Sequence, residues 1–417
     1  MKAGILGLSL VGKSTLFQLL TGTPAAAAGG RPEARVGVAR VPDPRVGRLA
    51  EIYKPKKKTL ATVEYVDVPG VARGESAALV DLPALRGVDT LVHVVRAFES
   101  DTVPHPDGSI DPLRDASVLE LELILADLAT VERRLERLEA NIKKANKAED
   151  VAERAVFLRL KEHLETERPL REMDFSDEDA HRLRGYALLS GKPLLVVANL
   201  GEKDLKDAPA LLERSGLAGY ARKPRVALCA VSAPIEAEMA DLSPEDAEAF
   251  RQDLGLAEPG LERVIRSTYD LLGLISFLTA GEDECRAWTI RRGTRAVVAA
   301  GAIHSDIERG FIRAQVVAFD DLVAAGGIAA CRERGTLRLE LLRIRLGVRV
   351  GLVLVLVLVV LEVIHGQGRR RRRKPIRVER ERRLLEDRDA VPDGRRLHAA
   401  QRGFGRAAPR DCAAGLS

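Results

Sequence analysis

Residues Gly4–Leu20 read GILGLSLVGKSTLFQLL, and this stretch decides the fold. An apolar run passes through a glycine-bracketed loop into an amphipathic segment, the order strand, turn, helix. The loop fits G-x-x-x-x-G-K-[ST], with Gly7, Gly12, Lys13 and Ser14 at the defining positions. Glycines let successive main-chain N–H groups face one anion, and the helix that follows adds the positive end of its dipole. Gly7, Leu10, Val11, Gly12, Lys13, Ser14 and Thr15 are therefore the expected phosphate-binding set. In it Lys13 reaches the outer phosphates and the Ser14 hydroxyl serves Mg²⁺.

Further apolar runs follow the same strand-then-helix rhythm: TVEYVDV at 62–68, DTLVHVV at 89–95 and PLLVVANL at 193–200. That rhythm predicts an α/β fold with a mostly parallel sheet covered on both faces, ligands lying at the carboxyl ends of the strands. Asp67 and Asn199 fall at such ends. VDVPG, 66–70, carries D-x-x-G about fifty residues after the phosphate loop, the spacing of a metal-holding aspartate (Asp67) and a γ-phosphate-sensing glycine (Gly70). Many GTPases follow that glycine with a water-orienting glutamine, but here Val71 occupies the position and cannot exchange a proton. His93, set among apolar residues, reads as a core histidine rather than a substitute base.

The base-selecting loop is Asn199-Leu200-Gly201-Glu202 where guanine-specific proteins have N-K-x-D. Leucine replaces the lysine that lies along the base, and the acid is one methylene longer, which favours adenine over guanine. Ser232 and Ala233, in AVSAP, close the loop over the base.

Between the third and fourth apolar runs, Leu121, Ile124, Leu128, Val131, Leu135, Leu138 and Ile142 recur at alternating steps of three and four. After KKANKAED a second ladder holds Val151, Ala155, Leu158, Leu160 and Leu164. Together they predict a helical hairpin, an antiparallel coiled coil, the alternative being an amphipathic helix packed on the body.

The chain has 417 residues, too many for one ordinary core, and a net charge of +5. Residues 341–417 carry 19 basic and 8 acidic side chains, a net +11, which leaves the body at −6 from the total of +5. The basic balance thus belongs to the tail. Four scattered cysteines without C-x-x-C spacing argue for a reducing, cytoplasmic setting without a zinc or disulfide framework. The opening residues, which run directly into the phosphate loop, predict no cleavable leader.

With GLSLVGKST, DVPG followed by valine, NLGE and the hairpin assembled, the sequence resembles the YchF (Obg-like ATPase) family of translation-factor-class P-loop proteins. RVPDPRVGRLAEIYKPKKKTLATVEYVDVPG, DPLRD, LELILADLATVERRLE, VSAPIEAEM and GLISFLTAGEDECRAWTIRRGT carry the likeness across residues 1 to about 340. The resemblance implies an ATP-binding GTPase-like domain, a coiled-coil arm and a C-terminal TGS module of β-grasp type. It also implies association with the ribosome and a slow, partner-modulated ATPase with Mg²⁺ as cofactor; contacts to rRNA would run through the TGS and coiled-coil regions, with no membrane partner. The expected domains are a nucleotide-binding part over 1–116 and 173–273, the hairpin over 117–172, an incomplete TGS-like module over 274–340 and an atypical tail over 341–417. Two rival readings are a ribosome- or RNA-binding module that holds ATP without efficient hydrolysis, and a GTPase.

Three departures stand out. Ser9 and Leu10 replace a proline and an asparagine of the family loop, so the resemblance does not extend to potassium dependence. The first switch, PAAAAGGRPEARVGVARV at 24–41, contains no hydroxyl where the family has a metal-binding threonine. Past residue 340 comes LLRIRLGVRVGLVLVLVLVVLEVIHGQGRRRRRKP, whose uncharged stretch is too short to span a bilayer and whose Val/Leu alternation is strand-like on both faces. This tail reads either as an out-of-frame product or as a basic extension whose arginine block binds RNA or anionic surfaces.

Overall fold

A computed structural model describes residues 1–24, 34–68, 82–105, 108–311, 313–341 and 354–357. Residues 1–360 form one compact unit. Gly70 and Val71 lie outside the described residues, as does the alanine-rich part of the first switch.

Four runs of β-branched and apolar residues build the centre of the first sheet. β1 (Lys2–Leu6) is buried after its first residue. β2 (Arg35–Arg40) and β3 (Lys57–Thr59) precede β4 (Thr62–Asp67), and β5 (Thr90–Ala97), β6 (Leu194–Leu200) and β7 (Val226–Val231) follow. β5 and β6 are buried along their whole length, as strands covered on both faces must be. The order is β2-β4-β1-β5-β6-β7, every neighbour parallel except β2, which runs antiparallel to β4 at the edge. The parallel set aligns the carboxyl ends of β1, β4, β5, β6 and β7 at one rim.

Helix α1 (Lys13–Thr21) leaves that rim, and α2 (Pro44–Tyr53) begins at Asp43, whose carboxylate accepts from the Arg45 N–H at 3.1 Å with proline in the first turn. The short α3 (Leu82–Arg86) is capped by Lys192, whose ammonium donates to the carbonyls of Leu85 and Arg86 at 2.9 Å and to that of Val88.

The insertion is a helical hairpin of α4 (Pro112–Ala145) and α5 (Ala148–Glu165), joined through Asn146 in the left-handed conformation. The first ladder is largely as expected: Ile124, Val131, Leu135 and Leu138 are buried. Leu121 is exposed, because the start of α4 turns Leu119 and Leu123 instead onto the core of the first sheet. The second ladder requires correction. Val151, Ala155 and Leu158 face solvent, and the seam is Val156, Phe157, Leu160 and Leu164. The returning segment decides this: Tyr186 meets Phe157 edge-on at 4.8 Å, and Leu170 and Leu183 close the same cluster. Arg134 and Glu153 pair across the two helices at 2.8 and 2.9 Å. At the base, Asp127 accepts from the Leu189 and Ser190 amides at 2.8 and 2.7 Å, and Glu120 pairs with buried Arg171 and with Lys223 at 3.1 Å.

The second sheet contains β8 (Leu274–Thr279), β9 (Glu284–Arg291), β10 (Arg313–Ala318), β11 (Arg338–Leu341) and β12 (Leu354–Val357), in the order β11-β10-β12-β8-β9-β3. Two differences from a self-contained module spanning 274–340 appear. β3, from the first nucleotide-binding part, joins the sheet parallel to β9 and is pinned by Lys56–Asp283 at 2.8 Å. Within the tail, Leu354–Val357 pairs with both β10 and β8, so the alternating run supplies an interior strand. One hydrophobic cluster joins the sheets, holding Ala3 and Leu49 together with Leu278, Cys285 and Leu322.

Candidate functional site

The phosphate loop leaves β1 through Gly7, at φ +151°, where a Cβ would stand 2.4 Å from the Val94 carbonyl oxygen. It enters α1 through Gly12, at φ +95°, where a Cβ would stand 2.4 Å from the Asn199 amide nitrogen. Both positions exclude side chains, which is the physical content of the two glycines in the motif. Leu10 between them also lies in the left-handed region, at φ +63°, with its side chain in solvent. A leucine there costs about 1–2 kcal/mol, a strain held at the tip of the loop. Among the described residues no side chain caps α1, and the amides of its first turn lie at the rim with Ser14 and Thr15 exposed beside them.

Lys13 is buried, and its ammonium donates to the Leu8 carbonyl at 2.5 Å. Burial pushes its pKa down to about 8, partly opposed by the carboxylate of Asp67. A charge held inside the loop at that cost is poised for a ligand of opposite sign.

Asp67, at the end of β4, accepts the Ser14 hydroxyl on Oδ2 at 3.3 Å. The same oxygen accepts from Arg35, which stands directly opposite Asp67 in the β2–β4 ladder. The other oxygen, Oδ1, is buried and has no hydrogen-bond partner among the described residues. A hydroxyl and a carboxylate with a spare buried oxygen form the hard-oxygen set that suits Mg²⁺ and its waters. These residues fit the metal.

At the far end of the site, Asn199 bridges two loops. Its amide donates to the Val11 carbonyl at 3.0 Å and its oxygen accepts the Ala233 N–H at 3.1 Å, tying the phosphate loop to the loop after β7. Ser232 is buried, its hydroxyl without a partner among the described residues, and Ala233 begins helix Ala233–Asp241. Glu202 is exposed at the start of a short turn. Leu200 is fully buried in the core cluster, so its side chain is packing and not a surface against the base. β6 continues through it, and the pleat turns it inward.

His93 is sealed in β5, its burial driving its pKa down to about 3, with Nε2 unpartnered among the described residues. Burial thus favours the neutral form of the ring. Sequence reasoning brought together Gly12, Lys13, Ser14, Asp67, Asn199, Ser232 and Ala233; it missed Arg35, which no motif marks. Only the antiparallel register of β2 against β4 reveals it.

Residues 274–342 match the family YchF-GTPase_C, described as a protein of unknown function (DUF933). Over 346 residues the chain is 41% identical to the ribosome-binding ATPase YchF of Bacillus subtilis and 40% identical to that of Escherichia coli O157:H7, covering 81% of this chain and 94% of each relative. It is 35% identical over 350 residues to Obg-like ATPase 1 of Oryza sativa subsp. indica, covering 82% of this chain and 88% of that protein. The solved structure of the Schizosaccharomyces pombe YchF GTPase superposes with a TM-score of 0.73 at 30% identity, covering 85% of this chain and 97% of that one. With a phosphate loop, a hairpin insertion and a second sheet all placed in one fold, and with likeness of this extent, the chain belongs to the YchF/Obg-like ATPase family.

Proposed function

We propose that this protein is an ATP-binding, slowly ATP-hydrolysing switch that associates with the ribosome and uses Mg²⁺ held by Ser14 and Asp67. The observation that carries the reading is the convergence of the uncapped start of α1, the buried Lys13 and the Ser14–Asp67 pair at one rim. Phosphates accept from the loop amides and Lys13, while Gly70 senses the outermost phosphate. The metal supplies charge compensation between the phosphates. Asn199 holds the base-side loop, with Ser232 and Ala233, in register with the phosphate loop. Adenine is the base because Glu202 replaces the aspartate that accepts two hydrogens from guanine. Hydrolysis is slow because Val71 cannot orient water and the first switch has no hydroxyl to complete the metal shell. The relatives named for ribosome binding support a ribosomal partner, met through the hairpin and the second sheet, with rRNA the chemistry that basic side chains there would find.

Calorimetric titration with ATP and GTP, followed by single-turnover hydrolysis with and without ribosomes, tests this. ATP should bind at least tenfold more tightly, and ribosomes should change the turnover rate. Equal affinity for GTP would overturn the adenine assignment, and binding without any turnover would leave a nucleotide-holding ribosome ligand in its place.

A further inference from the structure

The carboxylate that suits the metal already has a cation on it. Arg35 Nη2 donates to Asp67 Oδ2, the oxygen that also accepts the Ser14 hydroxyl at 3.3 Å. The guanidinium is held from two more sides. Its Nη1 donates to the Pro24 carbonyl at 3.3 Å, and its carbon lies 5.0 Å from the centre of the Phe17 ring on α1. The Arg35 side chain is 20% exposed and that of Asp67 only 7%, so this pair is far less screened than a surface ion pair. The backbone register fixes it, since the two residues are direct partners in the β2–β4 ladder.

We propose that Arg35 competes with Mg²⁺ for Asp67: its guanidinium neutralises the carboxylate, and a metal would have full use of Asp67 only with the guanidinium drawn off Oδ2. The proposal rests on the nucleotide-site reading above. A carboxylate oxygen shared by a hydroxyl and a guanidinium has no direction left for a metal-bound water, and two cations on one carboxylate repel. Oδ1 is left without a partner among the described residues, whereas Oδ2, the oxygen that meets Ser14, carries Arg35, so Ser14 and Asp67 would hold a metal together only with Arg35 moved aside. The metal therefore contributes less to nucleotide affinity here than the same site would allow without the arginine. Arg35 acts as a determinant of metal affinity, through Asp67, and not on the reacting atoms.

The test uses ADP, which cannot be hydrolysed, titrated calorimetrically into wild type, Arg35→Ala and Arg35→Lys, with saturating Mg²⁺ and with EDTA. Manganese bound in the ADP complex, counted by electron paramagnetic resonance, is a second readout independent of activity. The ratio of Kd in EDTA to Kd in Mg²⁺ should rise about tenfold in Arg35→Ala, the scale of one charge-assisted hydrogen bond lost. Affinity in EDTA should stay within about twofold, manganese should bind more tightly, and Arg35→Lys should fall between. An unchanged ratio overturns the proposal. Equal loss of ADP affinity with and without metal also overturns it, and makes Arg35 a phosphate ligand instead. Failure of the wild type to bind ADP at all removes the nucleotide-site reading and this proposal with it, an outcome distinguishable because it precedes any variant. Should Arg35→Ala unfold, Arg35→Lys keeps the charge and carries the same comparison.

Discussion

At the scale of single residues, Lys13 gathers the chemistry of the loop into one titration. Its pKa in the folded, ligand-free protein is about 8, below the ordinary 10.5, because burial disfavours the charge more than Asp67 supports it. A bound phosphate restores the charged form, so nucleotide binding above pH 8 must take up a proton. We expect ATP affinity to weaken as pH rises beyond about 8, by up to tenfold per unit until the bound-state pKa is passed. Between about 8 and 10.5 the unfolded chain holds the Lys13 proton and the folded one does not. The ligand-free protein therefore gains stability from this group over that window while it loses affinity. Calorimetry at about pH 9 in two buffers of different ionisation enthalpy checks the uptake; a heat independent of buffer would rule it out. The glycines and the lysine of this loop were legible in the sequence because the backbone conformation they permit is local. Arg35 was not, since its partner is 32 residues away and is chosen by strand register.

At the scale of elements, the hairpin shows where periodicity stops informing. A ladder of threes and fours identifies two helices and an apolar stripe, but the stripe on α5 is wider than the seam it finally buries. Phe157, Leu160 and Leu164 are chosen over Val151, Ala155 and Leu158 because Tyr186, Leu170 and Leu183 return over that face. Phe157→Ala should accordingly cost about 3–5 kcal/mol of hairpin stability, read as a lowered denaturation midpoint of the hairpin. ADP affinity should be unchanged, because Phe157 belongs to a cluster separate from those beneath the nucleotide rim. Leu158→Ala, on the solvent face, should be nearly neutral by the same measurement.

At the scale of the whole molecule, the tail is no longer separable from the body at residue 340. β12 lies between β10 and β8, so a chain ending after Glu340 loses the strand that joins the two halves of the second sheet. That truncation should lower the thermal midpoint and solubility while leaving ATP affinity within about twofold; a chain ending after Val360 should keep both. Equal midpoints for the two truncations would show that the sheet does without β12. Sequence alone determined the phosphate loop, the strand-end place of Asp67, the mostly parallel character of the central sheet and the presence of a hairpin. Each follows from residues adjacent in the chain, through glycine backbone freedom, helix-start geometry or a period of 2 or 3.6. Tertiary structure decided which face of α5 is core, that β3 and β12 complete the second sheet, that Leu200 packs inward and that Arg35 sits on Asp67. These depend on what distant segments bring to the same place, and one residue of register or one neighbouring helix is enough to change them.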